Sequence, residues 1–151
     1  MNALELLKED HNRVDKLFQK VKASEDSKHG DLFEQIKTEL EIHTHIEETI
    51  FYPALIKEGD EELKSITLEG IEEHRQAKMF LRELASLKED SEKFEPKLTV
   101  LMEDIEHHVQ EEEGEMFPMI EEQFDAERLE ELGAEMEEEK GSFKKSSSAS
   151  A

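Results

Sequence analysis

A short polar motif occurs twice in this 151-residue chain and has the residue types of a cation site. The first copy places His43 four residues before Glu47, and the second copy, in the other half of the chain, places His108 four residues before Glu112. Each copy ends in two apolar residues and a proline, as Phe-Tyr-Pro and Met-Phe-Pro. Because residues four apart share one face of a helix, each copy presents an imidazole beside a carboxylate.

Both motifs lie on the apolar stripes of their helices. Leu40 comes three residues before His43, and Ile105 comes three residues before His108. Residues at this spacing form the core-facing side of an amphipathic helix. A buried, unpaired carboxylate costs several kcal/mol, so Glu47 and Glu112 need a compensating charge. A metal ion is the usual one.

Apolar periodicity predicts four long helices, over about 3–23, 31–57, 61–88 and from 91 or 96 to 123. Pro53 is expected to release the Thr49 carbonyl and bend the second helix. The first and third helices also resemble each other, since both carry two acidic residues directly before an inward histidine. Short connections favour an all-α, antiparallel up-down-up-down four-helix bundle over 1–124. A short final helix is predicted over 125–140 and a disordered tail over 141–151.

Two more histidines occupy inward positions, His11 on the first helix and His74 on the third. A single inward histidine is more often a hydrogen-bonded core residue than a ligand. Four such histidines together with two inward glutamates are rarely a coincidence, and burying them without a cation would destabilise the bundle. The predicted metal ligands are His11, His43, Glu47, His74, His108 and Glu112.

Composition excludes several other classes of function. The chain has no cysteine, so it can form neither a disulfide framework nor a thiolate site. A formal charge of −22 argues against nucleic acid or an anionic membrane as a partner. The chain has no apolar run of about 18 residues and no secretory signal pattern at its start, so a cytoplasmic location is the default expectation.

The ligand types indicate the metal. Four imidazoles and two carboxylates exceed the needs of one tetrahedral zinc ion. Two carboxylates can each bridge two ions, and mixed nitrogen and oxygen ligation suits iron best and manganese next. The Glu-x-x-His motif of ferritin-like di-iron bundles has the opposite order and a different spacing.

Taken together, the four inward histidines, the two His-x-x-x-Glu motifs and the prolines after them resemble the hemerythrin-like (HHE cation-binding) domain family. The resemblance covers about residues 3–123. It implies a four-helix bundle that holds two non-heme iron ions with an oxo or hydroxo bridge, and that reacts with dioxygen or related small molecules. Hemerythrins proper have a further histidine where this chain has Lys78, four residues after His74. This departure argues against reversible oxygen carriage.

Three functions remain open. The chain is expected to bind, sense or react with O2, peroxide or NO, or to handle iron. An alternative is a di-iron enzyme with peroxidase-like or catalase-like activity. The third is a metal-free, acidic helical interaction module.

Residues around the ligands are predicted by position on the helix. Glu39 and Asp104 lie four residues before His43 and His108 and are candidates to accept a hydrogen bond from those imidazoles. Lys78 is expected to point outward or pair with a carboxylate, with Asp15 as one candidate. Glu115 is either an extra ligand or a solvated residue at the rim. The remaining histidines and the glutamates beside the ligands are expected at the surface: His29, His45, His107, Glu48, Glu111 and Glu113.

Overall fold

A computed structural model describes the backbone of residues 1–150 and the side chains of residues 1–146. This part of the chain contains helices and no strand. Five-residue π-helical segments join α2 to α3 and α5 to α6 without a break. The helices are α1 (Ala3–Ala23), α2 (His29–Ile46), α3 (Tyr52–Glu58), α4 (Glu61–Ser86), α5 (Phe94–Glu111), α6 (Phe117–Gln123) and α7 (Ala126–Ser150), and the π segments are Glu47–Phe51 and Glu112–Met116.

Four rods, namely α1, α2 with α3, α4, and α5 with α6, form the predicted antiparallel bundle. Contacts along neighbouring rods show the antiparallel arrangement. Near the middle of α1, His11 contacts Glu113, whereas Lys22 at the end of α1 contacts Glu106 at 2.8 Å. No helix in the described residues is long and apolar enough to cross a membrane.

The core consists of two apolar clusters with a polar layer between them. One cluster contains Leu7, Ile46 and Phe117, and the other contains Val14 and Leu40. His11 and His43 lie in sequence between the members of the two clusters on their helices, and the same holds for the other inward histidines. The helices therefore bury a band of imidazoles and carboxylates in the middle of the bundle.

The π segments start at the two motif glutamates. The backbone N–H of Tyr52 donates to the Glu47 carbonyl, and that of Phe117 donates to the Glu112 carbonyl, five residues back in both cases. A proline follows each segment, and its ring cannot accommodate the carbonyl four residues before it. The bend predicted at Pro53 is thus a widened turn, a feature that is frequent at functional sites.

The C-terminal helix corrects the prediction for the end of the chain. Instead of a short helix and a disordered tail, α7 continues past Gly141 to Ser150, and Ala151 lies outside the described residues. A helical glycine costs about 1 kcal/mol, which tertiary contacts can offset. Here the Phe143 ring lies 4.6 Å from that of His45, and Lys140 binds the buried Asp10 carboxylate.

We expect α7 to be an integral part of the folded unit. Met136 on α7 is fully buried, so Met136→Ala should lower the free energy of unfolding by about 2–5 kcal/mol through the cavity it leaves. Met79 on α4 is 48% exposed and provides the matched control. Met79→Ala should change stability by less than about 0.5 kcal/mol. Denaturant unfolding of both variants measures the difference, and equal stabilities would show that α7 is only loosely attached.

Candidate metal centre

The six predicted ligands meet in the polar layer of the bundle. Each of them is at most 6% exposed, and the two glutamates are at most 1% exposed. Each of the four rods contributes one histidine, and the two π segments contribute the glutamates through their first residues. The prediction that all six side chains are buried is therefore correct.

The six side chains form two groups of three. His11 and His43 combine with Glu112, and His74 and His108 combine with Glu47. Within each group the candidate ligand atoms lie within 4.8 Å of one another. The two histidine pairs have nearly the same geometry, with ring centroids 4.9 Å apart in both and interplanar angles of 63° and 62°. The groups are thus related by an approximate internal twofold symmetry.

Each glutamate contacts histidines of both groups. One oxygen of Glu47 lies 2.9 Å from Nε2 of His43 and 3.1 Å from Nε2 of His74. The two oxygens of Glu112 lie 3.2 Å from Nε2 of His11 and 3.3 Å from Nε2 of His108. Each carboxylate is therefore placed between the two groups, as a carboxylate that bridges two ions would be.

Several of these atoms are buried without an adequate hydrogen bond within the described residues. They include Nε2 of His11 and of His43, both oxygens of Glu47 and Oε1 of Glu112. Leaving such groups unsatisfied costs about 1–3 kcal/mol each, and more for charged groups. Cations placed among them would satisfy the imidazole nitrogens and carboxylate oxygens together, so this donor set fits metal ions.

The comparisons with known proteins agree with this geometry. The family profile described as the hemerythrin HHE cation binding domain matches residues 2–120. The chain belongs to the hemerythrin HHE cation binding domain family.

A solved hemerythrin HHE cation binding domain-containing protein from Mycobacterium kansasii is similar to this domain in sequence and fold. It shares 32% identity and a TM-score of 0.76, over 94% of this chain and 89% of that one. An uncharacterised hemerythrin-like protein of Schizosaccharomyces pombe is 31% identical over 74% of this chain, and a DNA nickase of a Nostoc strain is 28% identical over 89% of it. The aligned region spans only 56% and 38% of these two relatives, respectively.

Every inward histidine of this hemerythrin domain donates its second ring nitrogen, Nδ1, to a carboxylate on another helix. The distances are 2.5 Å from His11 to Glu113, 3.1 Å from His43 to Asp10, 2.8 Å from His74 to Glu48 and 2.6 Å from His108 to Glu73. Such outer carboxylates fix the orientation and tautomer of metal-binding imidazoles. Sequence reasoning missed all four.

The predicted partners Glu39 and Asp104 are therefore wrong. Glu39 lies on the same helix as His43, and its carboxylate is 3.7 Å from Arg13. The Nδ1 atoms of His43 and His108 donate instead to Asp10 and Glu73 on adjacent helices, so neither binds the carboxylate one turn earlier on its own helix. Glu48 and Glu113, which were predicted at the surface, are only partly exposed and bind histidines.

Lys78 pairs with a carboxylate as predicted, but with a different one. Its Nζ lies 2.6 Å from Glu48, whose other oxygen accepts the hydrogen bond from His74. Asp15, the predicted partner, is exposed on α1. Glu115 is exposed in the second π segment, which places it at the rim and not among the buried ligand groups.

Without a cation, the buried charges of the hemerythrin domain compensate one another. Burial alone would lower the pKa of His43, but the Glu47 charge and the bond to Asp10 raise it to about 10. Burial would raise the pKa of Glu48, yet His74 and Lys78 lower it to about 2. Protons and metal ions would therefore compete for the inward imidazole nitrogens.

Tyr52 is a buried site residue that sequence reasoning did not single out. Its hydroxyl donates to Glu112 at 2.6 Å and lies 3.3 and 3.4 Å from Nε2 of His74 and His108. Burial and the nearby Glu112 and Glu47 charges raise the pKa of this phenol well above its usual value, so it stays protonated. The signal was in the sequence, because Tyr52 is the one hydroxyl-bearing residue in the apolar pairs that precede the prolines.

One buried histidine, His29, lies away from the metal centre and has a structural role. His29 was predicted at the surface but is only 6% exposed. Its Nδ1 donates to Glu95 at 2.7 Å, and its Nε2 donates to the Val21 carbonyl at 2.9 Å. A ring that donates from both nitrogens has no free nitrogen for a metal. His29 therefore ties the end of α1 to the start of α5.

The outer carboxylates should strengthen metal binding. Glu73→Ala removes the acceptor of His108 and should weaken binding of Mn2+ or Fe2+ by about 10–100-fold. The adjacent Glu72 is exposed and pairs only with Arg75 among the described contacts, so Glu72→Ala is the matched control. Anaerobic competition with a chelator gives both affinities. Equal affinities would show that Glu73 does not support the site.

His29 should make stability depend on pH. Burial opposes its charge, but Glu95 and the two carbonyls raise its pKa above 6.5 in the folded state. The stabilisation from protonated His29 is therefore complete below pH 6.5 and is lost as pH rises through the raised pKa. The stability difference between the wild type and His29→Gln should shrink over that range. Denaturant titrations at several pH values test this, and a stability difference that stays constant over that range would contradict it.

Proposed function

We propose that this domain binds two iron ions and uses them to bind, sense or react with O2, peroxide or NO. One observation supports the proposal most strongly. Two buried groups, each of two imidazoles and one carboxylate, lie side by side, and both carboxylates reach across to the other group. Mixed nitrogen and oxygen ligation favours iron, with manganese as the less favoured choice.

The side chains have separate tasks in this proposal. His11 and His43 would hold one ion and His74 and His108 the other, with Glu47 and Glu112 shared between them. Bound iron supplies redox chemistry and a place for a small exogenous molecule. With both glutamates shared, each ion would have four protein ligands, which leaves positions for such a molecule.

The protein surroundings keep this chemistry away from bulk water. Phe51 and Phe117 are at most 1% exposed and belong to the apolar cluster on one side of the centre. The outer carboxylates hold each imidazole with its Nε2 turned inward. Burial of this kind strengthens electrostatic interactions within the site.

A peroxidase-like or catalase-like activity is the second candidate, and Tyr52 favours it. Its protonated hydroxyl points at the candidate ligand atoms of His74, His108 and Glu112. A phenol at that distance is able to deliver a proton to a small molecule bound there. A metal-free interaction module is less well supported, because it gives no role to the two buried groups of inward imidazoles and carboxylates.

Iron content tests the proposal directly. Protein produced with iron should contain about two iron ions per chain and show charge-transfer absorption that chelation removes. His108→Ala should reduce the iron content, whereas His107→Ala, at a neighbouring exposed residue, should not. Fewer than about one iron per chain in the wild type, or equal content in the two variants, would contradict the proposal.

The same samples show how the metal affects folding. Removing the metal should lower the melting temperature, since an ion at about 100 times its Kd stabilises the folded state by about 2.7 kcal/mol. The iron should also be lost on acidification, as protons compete for the imidazoles.

Peroxide turnover tests the enzymatic candidate. Steady turnover by the wild type, reduced in Tyr52→Phe with unchanged iron content, would favour it.

A further inference from the structure

The four outer carboxylates of the metal centre differ in their exposure to water. Three of them, Glu48, Glu73 and Glu113, have side chains that are 27%, 34% and 35% exposed. The side chain of Asp10 is only 2% exposed, although Asp10 corresponds to Glu73, since each directly precedes the inward histidine of its helix. The approximate internal symmetry is therefore broken at the residue that holds His43.

The C-terminal helix covers Asp10. It packs against α1, α2 and the first π segment, which all lie in the first half of the chain. At Gly133 the helix lies so close to the start of α1 that an added Cβ would be 2.9 Å from the backbone nitrogen of Ala3. A larger residue there would push the two helices apart. Seven residues later on both helices, Lys140 meets Asp10.

Lys140 occupies the inward stripe of α7. The buried apolar residues Leu129, Leu132 and Met136 define this stripe, and the next step of four residues reaches Lys140. The lysine side chain is only 15% exposed. An apolar residue would anchor the helix at this position without the cost of burying a charge. The sequence instead places a lysine opposite the one outer carboxylate that is buried.

A continuous series of polar contacts leads from α7 to the centre. Nζ of Lys140 donates to Oδ1 of Asp10, and Oδ2 of Asp10 accepts the hydrogen bond from Nδ1 of His43 at 3.1 Å. Arg13 also donates to Oδ1, but its side chain is half-exposed, and exposed ion pairs contribute little. Lys140 is thus the buried cation that fixes Asp10.

Two neighbours of Lys140 attach this part of α7 to the helix that carries His43. Glu139 accepts a hydrogen bond from Nε2 of His45 at 2.7 Å, and the Phe143 ring lies 4.6 Å from the same imidazole. The family profile ends at residue 120, before α7 begins. These contacts therefore add a segment from outside the matched domain to the surroundings of one ligand.

The imidazoles of the other group have more exposed partners. Glu73 holds His108, and Glu48 holds His74 and is itself bound by Lys78, whose side chain is 44% exposed. Water can replace contacts of this kind when an imidazole turns away from its ion.

The His43 ring is held more firmly. If it turned, Asp10 would lose its hydrogen bond inside the protein, where an unsatisfied charged group is costly. Since a metal ion leaves only when its ligands let go, an ion bound by His43 should leave more slowly than an ion bound by His74 and His108.

We propose that Lys140 is a positioning residue of the metal centre, which acts through Asp10 on His43 and makes the ion at His11 and His43 the slower of the two to exchange. This inference rests on the proposed function, because it requires two bound ions. Release of the slower ion then requires α7 to loosen its hold on Asp10.

Transfer of Fe2+ from the loaded protein to a chromogenic chelator, without oxygen, tests this assignment. The wild type should release its two ions in two phases of different rate. Lys140→Met should speed the slow phase by about tenfold, because losing the support behind a ligand weakens metal binding by about that factor or more. Lys140→Arg keeps the positive charge and should keep the slow rate within about threefold of the wild type. Thermal unfolding of each variant shows whether the fold is intact.

Matched variants identify the contact and the half of the centre. Lys144→Met removes a charge from an exposed position of the same helix and should leave both phases unchanged. Asp10→Asn should remove the slow phase, whereas Glu73→Gln, at the equivalent position of the other half, should speed only the fast phase.

Several results would overturn the role of Lys140 and leave the iron proposal intact. They are release of both ions at one rate, an unchanged slow phase in folded Lys140→Met, an equal effect of Lys144→Met, and loss of the slow phase in Glu73→Gln but not in Asp10→Asn. If Lys140→Met does not fold, the comparison of Asp10→Asn with Glu73→Gln decides by the same criterion. A wild type that binds no iron would overturn both proposals.

Discussion

Two carboxylates in the interior of an apolar bundle set the main constraint on this structure. Glu47 and Glu112 are almost completely inaccessible to water, and each would be costly without opposite charge nearby. Imidazoles surround them, outer carboxylates hold the imidazoles, and lysines at the edge, Lys78 and Lys140, bind two of those carboxylates. The sign of charge thus alternates from the centre outward. Metal ions inserted at the centre would continue this alternation inward.

The inner ligands were predictable from the sequence because their geometry is local to single helices. A histidine and a glutamate four residues apart on an apolar stripe must point into the core together. The outer carboxylates depend on contacts between helices, and residue spacing along one helix says nothing about those. The internal repeat of the sequence nevertheless indicated which carboxylates these are. Asp10 and Glu73 directly precede inward histidines at equivalent positions, and Glu48 and Glu113 directly follow the inward glutamates.

The bundle was predictable from apolar periodicity, whereas two features of the backbone were not. Pro53 indicated a disturbed helix, but not that the disturbance takes the form of a π turn from Glu47 to Phe51. Gly141 suggested that the final helix ends, yet Phe143 and Lys140 make contacts on other helices that favour its continuation. Local propensity is a weak guide wherever tertiary contacts of this kind oppose it.

The chain contains two helical hairpins, α1 with α2 and α4 with α5, and each supplies one ligand to the group of the other. The first hairpin supplies His11 and His43 to one group but sends Glu47 to the other, and the second hairpin sends Glu112 back. Neither hairpin alone contains all three members of either group. A metal ion at either position would therefore join the two halves of the molecule as a crosslink does, and full occupancy would report that the halves have docked in register.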